Sequence, residues 1–136
     1  MLAETLRHGR LTRRSEFLEA AKGLRVNAPA FSLQAIGRAS PGEARFGFTA
    51  TKKTGNAVER ARMRRRLKEA IRTTKGLPVR DGHDYVFVAR REALSLPFAE
   101  LSAEIARALA EIGKKLERKS REPKKSGTGQ FSDESR

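Results

Sequence analysis

The chain has 136 residues, 34% of them charged, and carries 30 Lys or Arg against 16 Asp or Glu, a formal net charge of +14. It has no cysteine, which excludes disulfides and thiolate-held zinc, and no stretch approaches the ~18 apolar residues of a membrane span. The length suits one domain with a modest core, and a surplus of this size points to a polyanionic partner, nucleic acid before membrane.

Residues 1–11 read as irregular, with no apolar run of signal-peptide length; the simplest location is the cytoplasm. Thr12 suits an N-cap for a short helix over 13–22, ended by Gly23, with Phe17, Leu18 and Ala21 on its apolar side. Arg25-Val26 reads as a short strand before an Asn27-Ala28-Pro29 turn. Phe31 to Ala35 and Arg45 to Thr51 each alternate apolar and polar residues, which predicts two half-buried strands paired as a hairpin. A long helix is expected from Ala57 to about Lys75, followed by an Asp81-Gly82 turn. Asp84 to Arg90, DYVFVAR, is apolar enough for a strand buried on both faces. Pro97 opens a last helix in which Phe98, Leu101, Ile105, Leu109, Ile112 and Leu116 recur at steps of three and four. From residue 117 the chain is polar and charged, which predicts a disordered tail over 117–136 after a domain of 1–116. The order is that of an α+β protein with one sheet and helices packed on it.

The segment 51–75, TKKTGNAVERARMRRRLKEAIRTTK, holds ten Lys or Arg against two Glu, so a net +8 of the total +14 lies here. On a helical wheel Met63, Leu67, Ala70, Ile71 and Thr74 form an inner stripe. Arg62, Arg65, Glu69 and Arg72 lie opposite, with Arg66 and Lys68 on the flanks. Like charges four apart, such as Arg60/Arg64 and Lys68/Arg72, cost a few tenths of a kcal/mol each, ~1–2 in sum. Arg60 and Arg62 also oppose the helix dipole. Stability does not call for this arrangement, whereas phosphate binding does: about six contacts would give a log affinity falling with log salt at a slope near −4 to −5. Arginine, which dominates here, suits bidentate phosphate contacts and stacking on bases. Lys52, Lys53 and Gly55 before the helix start add a phosphate-friendly lead-in, though not a P-loop.

Catalytic candidates are sparse. His8 and His83 are isolated, and Asp81 and Asp84 beside His83 read as turn chemistry rather than a metal cluster. No pair of carboxylates suits a two-metal nuclease. A residue set that binds and does not cleave follows: no catalytic side chain and no metal ligand is expected in this chain.

KKTGNAVERARMRRRLKEAIR closely resembles the signature of the protein subunit of bacterial ribonuclease P, with a Lys-Lys pair leaving a strand, a Gly-Asn-Ala-Val turn, an Arg-x-Arg element and an Arg/Lys-rich helix. Arg14-Ser15-Glu16-Phe17, Phe31, DYVFVAR and PFAEL extend the resemblance over residues 7–116. Two departures stand out: the family's Arg-Asn-Arg reads Arg60-Ala61-Arg62, and Gln34 stands where relatives carry an aromatic. The resemblance implies a single-domain α/β sandwich of about four strands, with a left-handed β-α-β crossover through the basic helix, like the second domain of a ribosomal protein. It implies a protein subunit that binds a catalytic RNA and the 5′ leader of precursor tRNA, with no obligate protein partner. Removal of the leader by phosphodiester hydrolysis would be done by the RNA, with Mg2+ held mainly by that RNA. The residues it implies for the catalytic RNA are Lys52, Lys53, Asn56, Arg60, Arg62, Arg64, Arg65, Arg66, Lys68 and Arg72; for the leader, Arg14, Phe17 and Phe31. The rivals from the residues alone are a ribosome-associated structural RNA-binding protein and a standalone metal-dependent nuclease.

Overall fold

Segments that alternate in hydrophobicity, or are apolar throughout, build one mixed sheet. The computed structural model describes residues 9–10, 14–38 and 42–121. They run β1 (Gly9–Arg10), α1 (Arg14–Ala20), β2 (Leu24–Asn27), β3 (Phe31–Gly37), β4 (Arg45–Thr49), a 3-10 turn (Lys52–Thr54), α2 (Ala57–Thr73), β5 (His83–Ala89), α3 (Glu92–Ser95) and α4 (Phe98–Arg121). Four full strands lie in the order β4-β5-β3-β2, and the two-residue β1 extends the β4 edge. The class is α+β, as the order of elements predicts.

The expected hairpin between the two alternating segments does not form. β3 pairs instead with β2, and β5 lies between β3 and β4, antiparallel to one and parallel to the other. The physical reason lies in β5. Residues 84–87 are all buried, so its backbone groups have no water on either edge and need a strand on both sides. Residues 9–10, read as irregular, pair with Arg45 and Phe46.

Asp84 fastens this order. Its carboxylate accepts from Arg38 of the β3–β4 link (2.9 Å) and twice from Arg45 of β4 (2.9 and 2.8 Å). Arg45 also reaches Glu16 of α1 at 3.0 Å. The hydrogen bond to Asp84 leads the effects that raise the Arg45 pKa. Asp84 is therefore a buried hub of ion pairs, not the turn residue its sequence position suggested.

Period-two alternation assigns the two faces of the sheet. Phe31, Leu33, Tyr85 and Phe87 face inward against Met63 and Leu67 of α2 and Leu101, Ile105 and Leu109 of α4. Phe48 stacks on Phe87 with ring centroids 5.7 Å apart, and Phe31 meets Phe87 edge-on at 5.2 Å. The other face carries Gln34, Ile36, Val86 and Val88. There Phe17 and Ala20 of α1 pack against Ile36, Val86 and Val88. Phe17 and Ala20 are three apart and share a helix face, so Leu18 is 54% exposed and Ala21 lies past the helix end, contrary to the expected stripe. The expected cap at Thr12 lies outside the described residues. α1 has seven residues, about 10 Å of helix, and leaves the rest of this face open.

α4 begins one residue after Pro97 and buries Leu101, Ile105, Leu109, Ile112 and Leu116 as the spacing predicts, whereas Phe98, the first residue of the expected stripe, is exposed in the opening turn. It continues to Arg121. Residues 117–121 are thus helical and not tail; residues 122–136 lie outside the described part.

Candidate nucleic-acid interface

The basic helix forms as its sequence dictates. Asn56 Oδ1 accepts from the Glu59 amide (2.8 Å) while Glu59 Oε1 accepts from the Asn56 amide (2.9 Å), a reciprocal capping box. Met63, Leu67, Ala70 and Ile71 are buried; Thr74 becomes the C-cap. Arg91 clamps the lead-in, donating to Glu59 (3.0 and 2.9 Å) and to the Thr54 carbonyl (2.9 Å). These contacts, Arg91 foremost, lower the Glu59 pKa to about 2. Gly55 does not serve a tight turn here: its backbone is extended, and a Cβ would come within 2.5 Å of Glu59 Oε1 and 2.9 Å of Arg91 Nη1, so a larger residue would have to displace those side-chain ends.

The cations of this segment divide into two kinds. Arg60 donates to the Gly55 carbonyl at 2.9 Å. Arg66 donates to the carbonyls of Ala93 and Leu96 (2.7 Å to the latter) and so closes the end of α3. Arg72 pairs with Glu69 one turn earlier, which lowers the Glu69 pKa. Asn56 is spent on the cap. By contrast Lys52, Lys53, Arg62, Arg64, Arg65 and Lys68 have no partner among the described residues. Lys52, Lys53, Arg62 and Arg65 are exposed; Arg64 and Lys68 are half-buried. The positive face of α2 is therefore open, and no carboxylate among the described residues pairs with these six cations.

Between α1 and the uncovered part of the sheet runs a groove of about 340 Å³ lined by Arg14, Phe17, Gln34, Phe48, Thr49, Val86 and Val88. It brings Arg14 and Phe17 into one groove. Phe31 is a correction: it is fully buried on the opposite face of the sheet, so no base can reach its ring. Odd positions of β3 face the core and even ones face the groove, which is why Gln34 takes the place Phe31 was given. Gln34 is 6% exposed, and its amide has no partner among the described residues. Its side chain lines the groove, where it is within reach of whatever the groove holds, solvent included. Phe48 packs against the core and stacks on Phe87 while staying half-buried. Its position at the free end of β4, past the two residues paired with β1, is the signal that its ring is only half covered.

The donor set beside α2 does not fit a resident divalent cation, since it consists of ammonium and guanidinium groups with Glu59 and Glu69 each held by an arginine. Among the described residues no three His, Asp or Glu side chains come together as metal ligands, and no helix is long and apolar enough to cross a membrane.

Residues 6–113 match the model of the family described as Ribonuclease P. The chain is 43% identical over 114 residues to the ribonuclease P protein component of Brucella suis, covering 78% of this chain and 81% of that one. It is 44% identical over 105 residues to that of Gluconacetobacter diazotrophicus, covering 76% and 90%. In fold it is similar to the RNase P protein from Thermotoga maritima, with a TM-score of 0.64 at 23% identity over 76% of this chain and 97% of that one. The Staphylococcus aureus RNase P protein gives 0.63 at 24% identity over 77% and 94%.

Proposed function

Because the chain belongs to the ribonuclease P protein family, we propose that it binds the family's catalytic RNA through the open face of α2 and the 5′ leader of precursor tRNA in the groove under α1. As a ribonuclease P protein component it serves in tRNA 5′ processing and is part of an endoribonuclease. The observation that carries the finer reading is the row of unpartnered cations, Lys52, Lys53, Arg62, Arg64, Arg65 and Lys68. Phosphates of a folded RNA supply the anions that the protein withholds, and counterion release drives the association. The groove complements this surface. It is narrower in charge, with Arg14 at its mouth, and its apolar and aromatic walls suit unpaired bases, which stack on Phe for ~1–3 kcal/mol each.

In this reading the chain positions and the RNA cleaves. α2 neutralises phosphates that would otherwise repel one another, while the leader groove adds binding energy to precursor and not to mature tRNA. In this reading the magnesium is held mainly by the RNA. The test is cleavage of precursor tRNA by the cognate RNA at low magnesium. Adding the protein is expected to raise turnover or precursor affinity at least tenfold. Equal rates with and without protein would refute the reading.

A further inference from the structure

A second groove, on the other side of β4, is not used by the leader path. It has a volume of about 350 Å³ and is lined by Phe46, Phe48, Ala61, Arg64, Arg65 and Lys68. That volume is at the small end of ligand sites, roughly 300–1,000 Å³. Its chemistry is divided. The floor is aromatic: Phe48 is half-exposed and has one ring face stacked on Phe87, nearly parallel at 12°. The rim is cationic: Arg64, Arg65 and Lys68 have no partner among the described residues. No carboxylate lines it. The wall between floor and rim is Ala61, whose single methyl leaves the space open.

We propose that this groove is a nucleotide pocket, which receives one unpaired nucleobase of the catalytic RNA against Phe48 and holds the flanking phosphate on Arg64, Arg65 and Lys68. The inference rests on the reading of α2 as the RNA-facing helix and deepens it. An aromatic floor under a cationic rim matches a nucleotide, whose flat apolar base and charged phosphate need both at once. Helical RNA alone would use the rim and leave the floor empty, so the base must be splayed out of a loop or bulge. Ala61 is the gate. A longer side chain at that position would occupy the space of the base without changing the charge of the helix.

The experiment uses the full chain with its cognate catalytic RNA and compares wild type, Ala61→Leu and Ala61→Ser. Both changes fall on an exposed helix position, and circular dichroism checks that helicity is kept. Leu is expected to weaken RNA binding about 5- to 150-fold, the range of one lost base stack, with the salt slope unchanged because every phosphate contact remains. Ser, which leaves the groove open, is expected to bind as wild type. Base-specific probing of the RNA should show one or two unpaired nucleotides shielded by wild type and Ser but reactive with Leu. If Leu binds and shields as wild type does, the pocket is empty and the proposal falls while the RNA-binding reading stands. If the shielding lost with Leu lies in the precursor leader, the assignment to the catalytic RNA is overturned. If wild type itself binds no RNA, both fall.

Discussion

Residues of identical charge in one segment do unlike work here, and the difference lies in what each side chain touches. Arg65 has no hydrogen-bond or ion-pair partner among the described residues, whereas Arg66, its neighbour, satisfies two carbonyls at the end of α3. Gln34 is the converse, a buried amide with no partner among the described residues. An unsatisfied buried amide costs about 1–3 kcal/mol, and a structure that keeps one has a use for it. Gln34→Leu should therefore raise stability by about 1 kcal/mol in urea melts, while weakening precursor tRNA binding relative to mature tRNA. A variant both less stable and unchanged in precursor binding would show that the amide serves the fold instead.

At the scale of the element, α2 is held by its inner stripe and its cap, so its outer face is free to be unfavourable. Arg62→Ala with Arg65→Ala should leave the melting point nearly unchanged and flatten the salt slope of RNA binding by about 1.4–1.8, two phosphate contacts. Arg66→Ala should do the opposite, costing about 1–3 kcal/mol of stability with a smaller change in slope. An equal slope change in both would erase the distinction drawn from their contacts. The helix start carries a pH signature. Glu59 has its pKa lowered from 4.5 to about 2, first by the Arg91 hydrogen bonds. A depressed carboxylate stabilises the fold fully above its unfolded pKa and loses that contribution as pH falls through the folded one. Urea melts from about pH 5 down to about pH 2 should show this loss in wild type, and Glu59→Gln should flatten the profile over that window.

At the scale of the whole molecule, one sheet separates two candidate RNA surfaces, and Phe48 at its edge lines both. The separation depends on strand order, which Asp84 ties together through Arg38 and Arg45. Breaking a buried pair costs about 3–5 kcal/mol, and less where water reaches a partner; the Arg45 side chain is 30% exposed. Asp84→Ala should therefore cost about 2–3 kcal/mol, read from thermal or urea unfolding. A neutral result would mean that pairing of β5 with its neighbours needs no such fastening.

The sequence alone determined the local elements and the kind of partner. Helix periodicity marked Met63, Leu67 and Ile71 for the core, alternation placed β3 and β4, and uninterrupted apolarity marked β5 as a strand buried on both faces, because each is a property of near neighbours in the chain. Clustered arginine likewise announced a polyanion, since Coulomb repulsion within one helix needs no knowledge of the fold. What only the tertiary structure decided were the contacts between distant segments. They set β5 between β3 and β4, sank Phe31 and left Phe48 half-buried. They also spent Arg66 on the α3 end, left Gln34 unpaired, and opened the space beside Ala61. Two side chains with the same residue type and the same local pattern differ only in what the rest of the chain brings against them, and that is fixed by packing, not by sequence spacing.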